Sequence, residues 1–459
     1  MKAKNVVLVV LTLAVFLFVT SGWNNALAKS TNSQTQGAIR YVLPVASGDC
    51  SAWTNPCNLQ TALSLSQAGD QIWVAAGIHK PTTGTDRTIS FNLENGVAIY
   101  GGFPTAGGNW ASRNPSTHLA TLSGDIGTIG QNSDNSYRVV VGIGVDASTI
   151  VDGFTISGGN ANGSIPYNFG GGMSNESNSS PTLINLIFSG NSAIFCGGLG
   201  NNSNSNPTLT KGIFFGNSAQ WGGGICNASN SNPTLANVTF SGNNATSSGG
   251  GMFSENSSPT LNNVTFSGNS AYMGGGMLNY NNSSPNLTNV TFSGNAADYG
   301  GGIGNTGNSS PILTNVTIFG NSADTNGGGI YNYSNSNPTL TNTIVWGNNT
   351  DQIFNDTSLP TVTYSDVMGG YAGEGNINQN PLLSPLANYG GFTMTHALVN
   401  GSPAIDTGDP GNCPTTDQRN YVRPVDGDSV DGPRCDMGAY EYGATEPGFP
   451  LYLPMVLRQ

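Results

Sequence analysis

Hydrophobic and polar positions in the middle of this chain alternate over very short runs, and the runs return at a fixed step. From Gly274 to Asn295 the sequence reads GGGMLNYNNSSPNLTNVTFSGN, and the next residues, AADYGGGIGNTGNSSPILTNVTIFGN, nearly repeat it. Pro181, Pro207, Pro233, Pro259, Pro285, Pro311 and Pro338 are 26 residues apart, except for a last step of 27. Asn191, Asn217, Asn243, Asn269, Asn295, Asn321 and Asn348 keep the same steps. Such a period is the mark of a solenoid. Each unit holds three extended pieces, Pro-Thr-Leu, Val-Thr-Phe and Gly-Gly-Ile/Met, with Asn, Ser and Gly between them. Helical repeats need Leu, Ala, Glu and Lys at 3.6-residue spacing, and the Gly, Pro, Asn and Thr here break helices. Three short strands and three corners make one coil of a parallel β-helix, the coils stacking about 4.8 Å apart.

The apolar columns then define the core. Phe188, Phe214, Phe240, Phe266, Phe292, Ile318 and Val345 form one inward stripe. Leu183, Leu209, Leu235, Leu261, Leu287, Leu313 and Leu340 form a second, and Met173, Leu199, Ile225, Met252, Met277, Ile303 and Ile330 a third. The recurrent Asn after Ser-Gly belongs at a corner, its amide bonding the backbone and the Asn of the next coil. An extra residue after Asn243 is absorbed before Pro259, so length changes fall in loops. Thr239, Thr265, Thr291 and Thr317 are expected to face outward as a straight hydroxyl column, with Thr182, Thr208, Thr234, Thr260 and Thr339 as a second, broken one. Regular threonine columns are a feature of ice-binding solenoids, but threonine is also simply a good β-former.

Along the whole chain, six segments are expected. Residues 1–28 read as a secretory signal peptide: Lys2 and Lys4, an apolar run from Val6 to Val19, and Ala26-Leu27-Ala28 at the cleavage site. Residues 29–40 read as a flexible leader. Residues 41–169 hold an N-terminal cap, with a short amphipathic helix over Leu59–Ala68, and early irregular coils. Residues 170–350 carry the regular repeats, 351–445 terminal coils and a separate acidic, Pro-rich region, and 446–459 a tail too short to span a bilayer. The expected class is therefore all-β, a right-handed parallel β-helix with a capping helix and a small C-terminal region.

Composition narrows the function. Charged residues are only 8% of the chain, against roughly 25% in ordinary globular domains. The net charge of −12 argues against nucleic acid and anionic membranes as partners. Export permits disulfides. Cys50 with Cys57, and Cys413 with Cys435, are close enough in sequence to clip loops, whereas Cys196 and Cys226 occupy unequal positions in the repeat and read as free thiols. None of the six has metal-site spacing with any of the three histidines.

Gly-Gly-Gly-Ile/Met in phase with Phe-x-x-Asn (Phe292-Ser293-Gly294-Asn295) resembles the repeat of chlamydial polymorphic outer-membrane proteins, over residues 150–350. The resemblance implies a right-handed β-helix displayed outside the cell and used in adhesion. Residues 50–57 with LQTAL and DQIWVAAG resemble the amino-terminal part of such secreted proteins. Residues 400–442 (NGSPAIDTGDPGNCPTTDQRNYVRPVDGDSVDGPRCDMGAYEY) resemble a C-terminal domain that precedes a variable surface-anchoring tail. There is no sequence for a terminal β-barrel, so the self-transport of the chlamydial proteins is not implied.

The rival function is a polysaccharide lyase or hydrolase, which needs an acidic calcium cluster with a base, or paired carboxylates. Between Gly153 and Thr350 the acids are Glu176, Glu255, Asp298 and Asp324, and the one base is Lys211. Glu176 and Glu255 are three coils apart, roughly 14 Å. The early coils offer Asp125, Asp134, Arg138, Asp146 and Asp152, with His118 near in sequence, as a sugar or calcium site; turn carboxylates are the plainer reading. Asp426, Asp428 and Asp431, with Asp436 and Glu441, are dense enough for calcium but depart from the EF-hand spacing, and Arg419, Arg423 and Arg434 argue for a structural network. No other cofactor is expected. Contact with extracellular glycans or surface proteins through Trp221, Tyr272, Tyr280, Tyr299 and Tyr331 by a monomeric, non-catalytic adhesin is the expected function, with the enzyme as alternative.

Overall fold

The computed structural model describes residues 37–430 and 432–446; the expected signal peptide, most of the leader, Asp431 and nearly all of the tail lie outside them. Three parallel sheets wind around one apolar core. The largest sheet carries the Thr-Leu and Val-Thr-Phe pieces, which merge into single eight-residue strands from Thr182–Ser189 to Asn286–Ser293. A seven-stranded sheet runs from Asn160–Ala161 to Ser322–Asn326, and a ten-stranded one from Phe91–Asn92 to Ile353–Asp356. Register is strict: Leu183 lies opposite Leu209, Leu209 opposite Leu235, and Phe188 opposite Phe214. No helix among the described residues is long and apolar enough to cross a membrane.

All three predicted stripes are buried. The phenylalanine rings stack nearly parallel, Phe188 on Phe214 at 4.7 Å and Phe266 on Phe292 at 4.7 Å, the separation that strand spacing imposes. The seven-residue helix Leu59–Leu65 starts on an Asn58 cap that accepts from Thr61 N and buries Leu59, Ala62 and Leu63 against the first strands. The first strand, Ile39–Val42, begins inside the expected leader and pairs with Gln71–Ala75, because its apolar residues complete the first coil.

The corner asparagines form the predicted ladder. Asn269 Oδ1 accepts from Asn243 N and Asn243 Nδ2, both at 3.0 Å, while its Nδ2 donates to Phe240 O at 3.0 Å and Asn295 Oδ1 at 2.9 Å. A second column was not foreseen. Asn237, Asn263, Asn289, Asn315 and Asn342 sit between the two strand halves in left-handed backbone, φ 51–57° for Asn185 through Asn342 at equivalent positions. Asparagine tolerates that conformation better than other residues with a Cβ.

This second column anchors the terminal region, which is not separate: it folds back along the large sheet. Asn263 donates to Asn420 (2.8 Å), Asn289 to Thr416 O (2.8 Å), and Asn315 to Asp436 O (2.9 Å). Gln418 reaches Thr265 and Thr291, and Ala439 N donates to Thr317 (3.0 Å). Thr265, Thr291 and Thr317 are therefore buried, and the expected hydroxyl face is covered for three of its four members. Ion pairs within the region support its return: Arg419 with Asp417 at 2.6 Å, and Arg423 Nε 2.7 Å from Glu441 without a linear N–H···O bond. Burial and the neighbouring Glu441 charge push Asp436 up to about 8.

Cys50–Cys57 and Cys413–Cys435 are bonded as expected, but Cys196 and Cys226 are bonded too, their Cα atoms 5.0 Å apart. Cys196 fills the corner slot that is glycine in the neighbouring coils, with φ 65° against 67° for Gly222. In that left-handed conformation a Cβ points along the coil towards the fourth residue on; a Cβ at Gly222 would lie 2.5 Å from Cys226 Cβ. From Cys196 that direction leads to Gly200, which has no side chain, and to Cys226, which pairs with Gly200 one coil away. Unequal repeat positions are thus the ones that meet.

Three outcomes follow from the fold. Asn269→Ala should lose about 3 kcal/mol in denaturant titration, because buried backbone groups are left unpaired, whereas exposed Asn244→Ala should lose at most about 0.5. Cys196→Gly with Cys226→Ser keeps the backbone conformation and removes only the crosslink; in the chain-entropy account the variant melts with about 3 kcal/mol less stability under oxidising conditions. Asp366 is fully buried, accepts from Gln379 N at 3.2 Å, and is pushed up to about 7 by burial. A raised folded pKa gives stability that is full below the ordinary carboxylate range and falls as pH rises through about 7. Asp366→Asn should therefore melt above the native chain at about pH 8, the gap closing towards about pH 4; a pH-independent gap would contradict it.

Candidate functional site

Where the seven-stranded and ten-stranded sheets meet, the left-handed glycine corners make the coil re-entrant, and a cleft of about 730 Å³ runs along the seam. Outward residues of the ten-stranded sheet alternate with core residues: in Met252–Glu255, Met252 is buried while Phe253 and Glu255 face out. In consecutive coils the outward pairs are Ser174 and Glu176, Gly200 and Asn202, Cys226 and Ala228, Phe253 and Glu255, then Leu278 and Tyr280. Small residues on the middle coils make the floor concave, and larger ones close the end.

The other wall is an aromatic stack at the end of the seven-stranded sheet. Phe169, Phe195 and Trp221 are in register, and Phe195 and Trp221 stack at 4.8 Å with planes 10° apart. The register partner of Trp221 on the next coil is Ser248, followed by Met273 and then Tyr299. The extra residue after Asn243 falls in this strand, Asn244–Ser248, and shifts the register between Ala245 and Ser248. Tyr272 and Tyr280 stand exposed at the rim. Tyr299 lies beyond it, 5.7 Å from Tyr272 and 5.4 Å from Tyr331.

Two carboxylates line the cleft. Glu176 is held: Arg138 Nη1 donates to it at 2.8 Å and Ser174 Oγ at 2.6 Å. Glu255 has no side-chain partner among the described residues, and its main-chain oxygen accepts from Ser257. Register separates the two by three strand spacings, roughly 14 Å, whereas glycosidase pairs sit about 5–9.5 Å apart.

The early-coil residues do not converge. Asp125 accepts from Gly130 N and Asp134 from Thr128 N, both closing one loop. Asp146 caps Ser148, Asp152 pairs with Arg113 at 2.9 Å, and Arg138 turns to the cleft through Glu176. Among the terminal acids, oxygens of Asp406, Asp426 and Asp428 lie within 4.8 Å of one another, a hard-oxygen set of the type calcium takes. Each of the three also closes the loop: Asp406 accepts from Gly427 and Asp428 amides, Asp426 from Ser429 and Asp428 from Val430. Burial raises the Asp406 pKa.

Of the residues expected to bind, the structure brings Trp221, Tyr272 and Tyr280 into one cleft. It adds Phe169, Phe195 and Phe253, which single-residue reasoning passed over, and Glu255, which the sequence offered only as an acid too far from Glu176 to pair with it. The usable signal was the insertion after Asn243, which breaks the repeat where the cleft opens.

A profile of the Chlamydia polymorphic membrane protein repeat matches residues 315–333, less than one full coil. No curated protein matches the chain. Among solved structures, the crystal structure of pectate lyase Pel9A superposes with a TM-score of 0.52 at 14% identity, over 89% of this chain and 97% of that one. The complex of XylC with xylose covers 89% and 99% at 10% identity and a TM-score of 0.44. At these identities the likeness is one of fold: the chain is a parallel β-solenoid, similar in architecture to a pectate lyase and carrying a repeat similar to the chlamydial one.

Proposed function

We propose that this protein is an exported, cell-surface or secreted β-solenoid that binds glycan in the aromatic cleft and does not cleave it. The observation that carries the reading is the cleft: about 730 Å³, bounded by Trp221, Phe253, Tyr272 and Tyr280 with Ser and Asn between them. Largely apolar concave sites with a few placed polar groups are the usual form of small-ligand sites. Aromatic faces suit the C–H faces of pyranose rings, and amide and hydroxyl groups suit their hydroxyls.

Placement of charge favours binding over turnover. The two carboxylates stand too far apart to act on one bond, and Glu176 is fixed as an ion-pair partner of Arg138. Lys211, the base of the regular coils, lies on the large sheet and does not line the cleft. Three disulfides support an oxidising destination.

A glycan array run beside assays for unsaturated and reducing-end products, with and without calcium, tests the reading. Trp221→Ala should weaken glycan binding by about tenfold or more, the loss of one well-packed ring, while the chain stays folded with a lowered melting temperature from the lost stack on Phe195. Product formation by the native chain would overturn the non-catalytic reading.

A further inference from the structure

Between Phe169 and Tyr299 the wall of the cleft carries a large side chain on every rung but one. Phe169, Phe195 and Trp221 fill three successive rungs, and the next rung holds the small Ser248 before Met273 follows. Trp221 therefore has a ring, Phe195, on one face, and on the other the rung of Ser248, beyond which Met273 follows. Trp221 and Met273 are two strand spacings apart, about 9–10 Å. One saturated six-membered ring, in van der Waals contact on both sides at about 3.5–4 Å, fits that interval. On the floor of the same coil stands Glu255, next to Phe253 and opposite Tyr280 in the following strand.

We infer that the Ser248 rung takes a single amino-sugar ring, its pyranose face on Trp221 and its protonated amine directed to Glu255. This rests on the glycan-binding reading and adds the ligand's charge and its seat. Aromatic faces and an unpaired carboxylate both favour a cation. The other cleft carboxylate is neutralised by Arg138, so Glu255 sets the local sign. The chain's net charge of −12 acts in the same direction by drawing cationic glycans and repelling polyuronates. The insertion that shifts register at Ser248 is the device that leaves this rung small, since the seven-stranded sheet resumes its large residues at Met273 and Tyr299.

The test is calorimetric titration of the full chain with glucosamine oligosaccharides and with their N-acetylated counterparts of equal length. The glucosamine form should bind about tenfold tighter or more at low salt, and the preference should shrink as salt screens the pair. Glu255→Gln should level the two affinities without changing the melting temperature. Ser248→Trp, which continues the stack through the rung, should abolish binding of both; if it does not fold, Glu255→Gln carries the test alone. Equal binding of the two oligosaccharides by the native chain, or a preference that survives Glu255→Gln, overturns the inference and leaves the glycan-binding reading intact. Failure of every glycan, amino or neutral, to bind removes both.

Discussion

Coil-on-coil hydrogen bonding at one fixed spacing is the constraint from which the rest of this structure follows. Each residue meets its counterpart one coil away, whether or not the two side chains suit each other. Phenylalanines must therefore stack as parallel rings, and each corner asparagine must find another to bond. The ladder from Asn191 to Asn348 turns that requirement into stability, since every amide satisfies a backbone group as well as its neighbour. Serines do the same at another corner, where Ser205, Ser231, Ser257 and Ser283 each accept from the backbone of the preceding coil. A nearly uncharged sequence is the natural consequence. Like charges in register every 4.8 Å or so would repel along the whole column.

The same constraint makes departures from the repeat conspicuous in space. Lys211 stands where other coils have asparagine, and Cys196 where they have glycine. The Cys196–Cys226 bond ties two coils directly beneath the Phe195–Trp221 stack, and Cys226 is itself part of the cleft floor. The crosslink and the aromatic wall are therefore one assembly: the coils that carry the stacked Phe195 and Trp221 rings are the coils covalently held in register.

Period, core columns and the corner ladder were legible in the sequence, because each is a repeated local requirement; the strands were read less well, since Thr-Leu and Val-Thr-Phe merge into one and the seven-stranded sheet was not among the expected pieces. Three features were not legible. Pairing of Cys196 with Cys226 depends on the direction a Cβ takes in left-handed backbone, and spacing alone carries no such direction. Burial of Thr265, Thr291 and Thr317 depends on a region more than 100 residues away folding back, with Gln418 and Ala439 supplying the contacts. The left-handed Asn237-to-Asn342 column that docks that region reads, in sequence, as merely another polar position between Leu and Val. For the candidate site, Trp221 and Tyr272 were readable as loop aromatics, but their meeting required knowing that two sheets fold towards each other at the glycine corner.

Covering one face and opening another are linked. The terminal region lies across the large sheet and removes its most regular polar surface from solvent, so the flat hydroxyl array that an ice-binding solenoid uses is not offered over those coils. What stays open is the opposite seam, where the glycine corners make the coil concave and where the chain departs most from its own repeat. A flat, repetitive face can recognise only repetitive partners. The cleft is bounded along the axis, with Glu176 and Glu255 marking roughly 14 Å of it, and its asymmetric charge gives it two distinguishable ends. On the proposed reading, recognition depends on what interrupts the repeat: one inserted residue, one rung without a large side chain and one carboxylate unpaired among the described residues, held in place by coils whose own side chains are committed to holding each other.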